Sequence, residues 1–147
     1  YWRKDLIGKV SVRDFDGLVC AAADQPGVIC TYGRTCNHYI VIEHDGDVYP
    51  CDFFVREGYR LGNVMDAPLH TFLDTERYTD FAYRKNKVRA CRGCRWRPYC
   101  HGGCQKDPLV NGTVESPTVL CETYKRFFDH AMPYARKLAK RLPPPQL

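Results

Sequence analysis

The chain has 147 residues, 44% of them apolar and 27% charged, with a net charge of +5 from 22 basic and 17 acidic side chains. This is one domain's length with globular composition, which excludes a disordered segment. No run of about 18 apolar residues occurs, so a membrane span is excluded, and the basic excess is too small for a nucleic-acid footprint. Nine cysteines stand out. A chain this long buries a core of its own, so the cysteines are not needed merely to rescue a small fold. The chain starts at Tyr1 rather than Met and reads as a fragment or a processed product. There is no repeat of solenoid period. The one sequon, Asn111-Gly112-Thr113, reads as chance.

Residues Val10 to Phe15 alternate apolar and polar and read as a short strand. A loop is expected from Asp16 to Thr35, where Gly17, Pro26, Gly27 and Gly33 fall. Tyr39 to Glu43 and Val48-Tyr49 are β-rich and flank His44-Asp45-Gly46-Asp47, a hairpin signal. Antiparallel pairing then brings Cys36, just before the first strand, close to Cys51, just after the second. Asp66 to Lys87 reads as one or two helices, with Pro68 suited to a first turn and Thr75 to a second start. Cys91 to Pro117 is loop-like. Leu120, Tyr124, Phe127, Phe128, Ala131, Ala135, Leu138 and Leu142 keep helical spacing, with a kink or restart expected at Pro133. The basic run Arg136 to Arg141 reads as that helix's solvated face. The expected class is α+β and loop-rich, with a small β-hairpin, helices and a long C-terminal helix.

The cysteines stand at 20, 30, 36, 51, 91, 94, 100, 104 and 121. Three readings compete. A disulfide framework leaves one thiol over, and Cys91-x2-Cys94 is more typical of metal or redox motifs. Zinc could take Cys91, Cys94, Cys100 and Cys104 in one site and Cys30, Cys36, Cys51 and Cys121 in another, with His101 able to replace a ligand. In the iron–sulfur reading, a ferredoxin-like pattern sends the fourth cysteine of a local run to the other cluster. Cys104 then joins Cys30, Cys36 and Cys51, and Cys121 joins Cys91, Cys94 and Cys100. Gly102-Gly103 lets backbone pass close to a bulky group. Cys20 is left over and reads as a small buried hydrophobe.

Cys30-x5-Cys36-x14-Cys51-Asp52, Leu61-Gly62-Asn63-Val64, Cys91-x2-Cys94-x5-Cys100-His101-Gly102-Gly103-Cys104 and Leu120-Cys121-x2-Tyr124-Lys125-x1-Phe127-Phe128 resemble the SPASM domain of radical S-adenosylmethionine enzymes, and among them the anaerobic sulfatase-maturating enzymes. Val12-Arg13-x1-Phe15-Asp16 and Gly46-x1-Val48-Tyr49-Pro50-Cys51-Asp52-Phe53-Phe54 are similar to that family too. The resemblance covers roughly residues 9 to 133. It implies a linker at 1–8, a SPASM auxiliary-cluster domain at 9–133 and a helix end with a Pro-rich tail at 134–147.

The resemblance further implies two [4Fe–4S] clusters, one on Cys30, Cys36, Cys51 and Cys104, the other on Cys91, Cys94, Cys100 and Cys121. Asp52 matches the family's acidic residue that takes a proton from the substrate. A negative thiolate cluster beside it is expected to raise its pKa. Gln105 stands where the family usually has Pro, and Asp107-Pro108 where it is often basic. The family's Cys-x3-Cys-x2-Cys triplet is absent; Cys100-x3-Cys104 is followed by Asp107. S-adenosylmethionine and a third cluster are therefore expected only in a radical domain before Tyr1, and the segment alone is expected to be inactive. The implied reaction oxidises a Cys or Ser of an unfolded sulfatase peptide to Cα-formylglycine. An electron-carrier protein is the second expected partner, and the cytoplasm the expected location. A stand-alone electron-carrier or peptide-binding module and a zinc-stapled interaction domain remain the alternatives. Tyr39, Tyr49, Phe53, Phe54, Tyr124, Phe127 and Phe128 read as core packing.

Overall fold

A computed structural model of the chain describes residues 7–27, 29–107 and 109–143. Residues 1–6 of the expected linker and 144–147 of the expected tail lie outside the described residues. Helix α1 spans Arg13–Ala22 and α5 spans Cys121–Ala139. Between them lie a three-stranded antiparallel sheet and short helical pieces. The class is α+β with a long C-terminal helix, as the sequence led us to expect.

The core sits where α1 crosses α5. Leu18 from α1 and Phe128 and Met132 from α5 are essentially inaccessible to solvent. Ile29 and Tyr32 pack into the same cluster. The strand expected over Val10 to Phe15 is not formed; Arg13 onward is helical instead. Phe15, Leu18, Val19 and Ala22 repeat at helical spacing and all face this core, so tertiary burial overrides a short local alternation. Asp14 and Asp16 in the first turn favour the helix dipole. The loop expected from Asp16 is correspondingly shorter. Cys20 on α1 is only half-buried, not the buried hydrophobe expected.

The hairpin forms as expected. Strand β1 (Val41–Ile42) pairs antiparallel with β2 (Asp47–Tyr49), Val41 opposite Tyr49. Gly46 turns it with φ +87°, a conformation that favours glycine. A third strand, β3 (Gly62–Asn63), pairs with β2 and was not anticipated. Two short helices follow, α2 (His70–Leu73) and α3 (Glu76–Tyr83). Thr75 caps α3, its hydroxyl accepting from the Tyr78 N–H at 3.2 Å.

The region from Cys91 to Pro117 holds one turn of helix, α4 (Arg97–Cys100), amid turns. Helix α5 runs through Pro133 without a restart. Tyr49, Phe54 and Phe128 are buried as expected. Tyr39 and Phe53 are not: they are 43% and 54% exposed. Among the described residues no helix is long and apolar enough to cross a membrane.

Candidate metal centre

Each cysteine-bearing segment is fastened to the core by a specific contact. Cys30 opens a 3₁₀ turn, Cys30–Tyr32. Tyr32 of that turn donates to the Asp14 carboxylate of α1 at 3.0 Å, and its ring meets Phe128 edge-on at 5.5 Å. The end of α3 collects two further segments. Its Ala82 carbonyl accepts from the Cys36 N–H at 2.9 Å, and its Phe81 carbonyl accepts from the Gln105 side chain at 2.7 Å. Cys51 follows β2, and Cys104 follows Gly102 and Gly103, both at positive φ (+90° and +78°). These four placements converge. Cys30, Cys36, Cys51 and Cys104 line one hollow, together with His38 and Phe53.

A second hollow is lined by Cys91, Cys94, Cys100 and Cys121. Cys91 ends a 3₁₀ turn, Cys100 ends α4 and Cys121 begins α5. Trp96, between Cys94 and Cys100, donates its indole N–H to Asp129 of α5 at 3.1 Å and stands 5.7 Å from the Phe128 ring. Arg95 pairs with the same carboxylate. Cys104 thus lies with the distant trio and Cys121 with the local one. His101, held at φ +47° just after α4, lines neither hollow. Cys20 lines neither.

The donor chemistry suits an iron–sulfur group. All nine thiols are free. Four thiols line each hollow, the donor set that a four-iron cluster takes. Burial pushes the Cys36, Cys51, Cys91, Cys104 and Cys121 thiols up, and Cys100 up to about 11. Coordination reverses this, since a metal-bound thiol is deprotonated outright.

Asp52 lies exposed between Cys51 and Phe53, both of which line the first hollow. Three hydrogen bonds converge on its Oδ1: from the Tyr39 hydroxyl at 2.8 Å, the Phe53 N–H at 3.1 Å and the Cys51 thiol at 3.2 Å. The expected upward shift is not what this geometry gives. The Tyr39 hydroxyl foremost, then the Cys51 thiol, holds the carboxyl below its usual range. The Cys51 share lasts only while that sulfur carries its proton. Tyr39 also stands 3.7 Å from the Cys51 sulfur.

Three neighbours of the sites were missed in the sequence: Tyr39, His38 and Lys85. Tyr39 carried a usable signal, because extending the hairpin register two residues beyond Val41 and Tyr49 sets Tyr39 opposite Cys51. Lys85 carried none. It is 5% exposed, and its ammonium donates to the Thr31 carbonyl at 2.9 Å and the Gly33 carbonyl at 2.7 Å, more than 50 residues away in sequence.

The SPASM family model, an iron–sulfur cluster-binding domain, matches residues 30–95. The cysteine-type anaerobic sulfatase-maturating enzyme of Clostridium perfringens is 33% identical over 97% of this chain and 40% of its own length. The serine-type enzyme of Bacteroides thetaiotaomicron is 34% identical over 96% of this chain and 35% of its own. The structure of native anSMEcpe with bound AdoMet and Kp18Cys peptide superposes with a TM-score of 0.84 at 32% identity, over 96% of this chain and 40% of that one. The chain therefore spans about two fifths of the length of the relatives it matches. Residues 30–95 thus match an iron–sulfur cluster-binding domain, and the chain is homologous to part of the anaerobic sulfatase-maturating enzymes.

Proposed function

We propose that the chain is the C-terminal auxiliary-cluster part of a radical S-adenosylmethionine oxidoreductase that converts a Cys or Ser of a sulfatase to Cα-formylglycine. The observation that carries this reading is the sorting of eight cysteines into two four-thiol hollows, with a carboxylate beside a cysteine of one. Cys30, Cys36, Cys51 and Cys104 would hold one [4Fe–4S] cluster, and Cys91, Cys94, Cys100 and Cys121 the other. When bound, such clusters supply one-electron transfer and staple the loops that hold them. With a cysteine for every iron, none is left open for substrate. Radical generation lies outside this segment, which lacks Cys-x3-Cys-x2-Cys.

Loss of a hydrogen atom from the substrate β-carbon leaves a radical that must still lose one proton and one electron to form the product double bond. The proton leaves from the side-chain sulfur or oxygen. Asp52 is the acceptor in this account. Its Oδ1 is fixed by Tyr39 and the Phe53 N–H, so Oδ2 is the oxygen that takes the proton. A thioaldehyde from Cys then hydrolyses to the aldehyde, while Ser gives it directly. Identity to cysteine-type and serine-type relatives is nearly equal, so both substrates stay in the proposal. An unfolded sulfatase peptide and an electron-carrier protein are the partners. Free thiols suit cluster assembly in the reducing cytoplasm.

Asp52→Asn in the full-length enzyme tests the reading. Asn keeps the shape and the acceptor oxygen but cannot take the proton at neutral pH. Formylglycine output should fall ~10²–10⁴-fold with iron and sulfide content intact and S-adenosylmethionine cleavage less affected. Near-normal turnover with intact clusters would make Asp52 a cap and move the base elsewhere.

A further inference from the structure

Lys85 is a charge buried without an ionic partner. It sits in the 3₁₀ turn Arg84–Lys87 after α3 and is 5% exposed. Its ammonium is gripped by the carbonyl of Thr31, inside the turn that begins with Cys30, and by that of Gly33, just after the turn. Carbonyl oxygens satisfy the N–H donors but do not neutralise the charge. Among the described residues no carboxylate pairs with it, although Asp80, on the preceding helix, pairs with both Arg84 and Lys87. A buried ammonium without a counter-charge is costly, and proteins bury lysine almost only when it is paired.

The backbone of the same residue touches the other cysteine run. A Cβ on Gly102 would lie 3.5 Å from the Lys85 carbonyl oxygen and 3.9 Å from the Cys91 sulfur. Lys85 thus lies between the Cys30–Gly33 segment, which its ammonium grips, and the Gly102 segment, which its backbone approaches. The charges that act on it come from both cysteine sets: Cys36, Cys104 and Cys30 of one and Cys100 of the other. They oppose burial, which alone pushes its pKa down.

We propose that Lys85 is the shared counter-charge of the two thiolate sites, a tuning residue that raises the reduction potential of both clusters and of the Cys30–Cys36–Cys51–Cys104 cluster more. This rests on the two-cluster reading above. A four-thiolate cluster is anionic, and its reduced form carries one more negative charge than its oxidised form. A fixed cation held in a low-dielectric interior therefore stabilises the reduced form more than the oxidised one. The ammonium is held on the segment that carries Cys30, by the Thr31 and Gly33 carbonyls, whereas only the Lys85 backbone approaches the other set, which gives the ranking.

The test uses the full-length protein, purified anaerobically, with Lys85→Gln and Lys85→Arg. Gln removes the charge but keeps a donor for a carbonyl, and Arg keeps the charge. Iron and inorganic sulfide are counted first, and the potentials are then read by redox titration followed by electron paramagnetic resonance. In Lys85→Gln with both clusters present, the reduced-to-oxidised ratio of the first cluster at the wild-type midpoint should fall about tenfold, ~59 mV for one electron. The second cluster should shift less, and Lys85→Arg should stay near wild type. Intact clusters at unchanged potentials in Lys85→Gln would overturn the role of Lys85 while leaving the two-cluster reading standing. If Lys85→Gln fails to load, Lys85→Arg decides: loading at wild-type potentials supports a need for charge, and failure of both variants assigns Lys85 to the carbonyl clamp alone. Wild-type protein with neither auxiliary cluster would overturn the two-cluster reading itself.

Discussion

Gly103→Ala should damage the first cysteine site through packing alone. Gly103 adopts φ +78°, and a Cβ there would lie 2.8 Å from Cε2 of Tyr124 and 3.5 Å from Cγ2 of Thr118. The left-handed conformation costs a non-glycine residue ~1–2 kcal/mol. The Tyr124 ring cannot simply swing away, because its hydroxyl donates to Asp107 at 3.1 Å and its face stacks on Phe128 at 6.3 Å. Forcing an extra carbon into packed surroundings adds ~1–3 kcal/mol, so the combined loss is about 2–5 kcal/mol. Relief of the clash would push Gly103 and its neighbour Cys104 outward, away from Cys30, Cys36 and Cys51. Gly93→Ala is the matched control, since no positive φ constrains Gly93 and nothing lies within 4 Å of its Cβ position. The assay is denaturant unfolding of the cluster-loaded protein together with its iron content. Gly103→Ala should lose both stability and iron, whereas Gly93→Ala should stay within about 0.5 kcal/mol of wild type. A Gly103→Ala variant as stable and as iron-rich as Gly93→Ala would refute the reasoning.

Phe128→Ala empties the centre of the core, where the ring meets Tyr32, Trp96 and Tyr124; it should cost ~3–5 kcal/mol, and a loss below about 1 kcal/mol in denaturant titration would contradict the central packing of that ring. Thr75→Ala removes the α3 cap and should cost ~1 kcal/mol in the same assay. Tyr39→Phe removes the hydroxyl that holds the Asp52 pKa down. The Asp52 pKa should then rise, so a larger fraction is protonated at a given acidic pH and the acidic limb of formylglycine production moves to higher pH. A pH–rate profile of the full-length enzyme that keeps its acidic limb in place would separate Tyr39 from the base.

What the sequence showed and what it hid follow from the range of the forces involved. The hairpin was legible because Asp45-Gly46 is a local turn signal, and α5 because its apolar spacing persists from Tyr124 to Ala135. The start of α3 was legible in Thr75. Helix α1 was hidden because Val10 to Phe15 imitates a strand over six residues, and its true period shows only when Phe15, Leu18, Val19 and Ala22 are taken together. Strand β3 was hidden because two residues carry no periodicity. The exposure of Phe53 was misjudged from type alone; Lys106 covers its ring at 4.0 Å while the other side lines the hollow. The contacts of Lys85 with Thr31 and Gly33 join segments with no local relation, so only the fold brings them together.

The central claim is that eight cysteines form two interlocked four-thiolate iron sites. Anomalous X-ray diffraction at the iron absorption edge, on crystals of the full-length protein grown without oxygen, addresses it most directly. The account predicts one iron cluster bound by Cys30, Cys36, Cys51 and Cys104 and a second bound by Cys91, Cys94, Cys100 and Cys121. Cys104 found closing a site with Cys91, Cys94 and Cys100, or a signal at the zinc edge in place of iron, would contradict it.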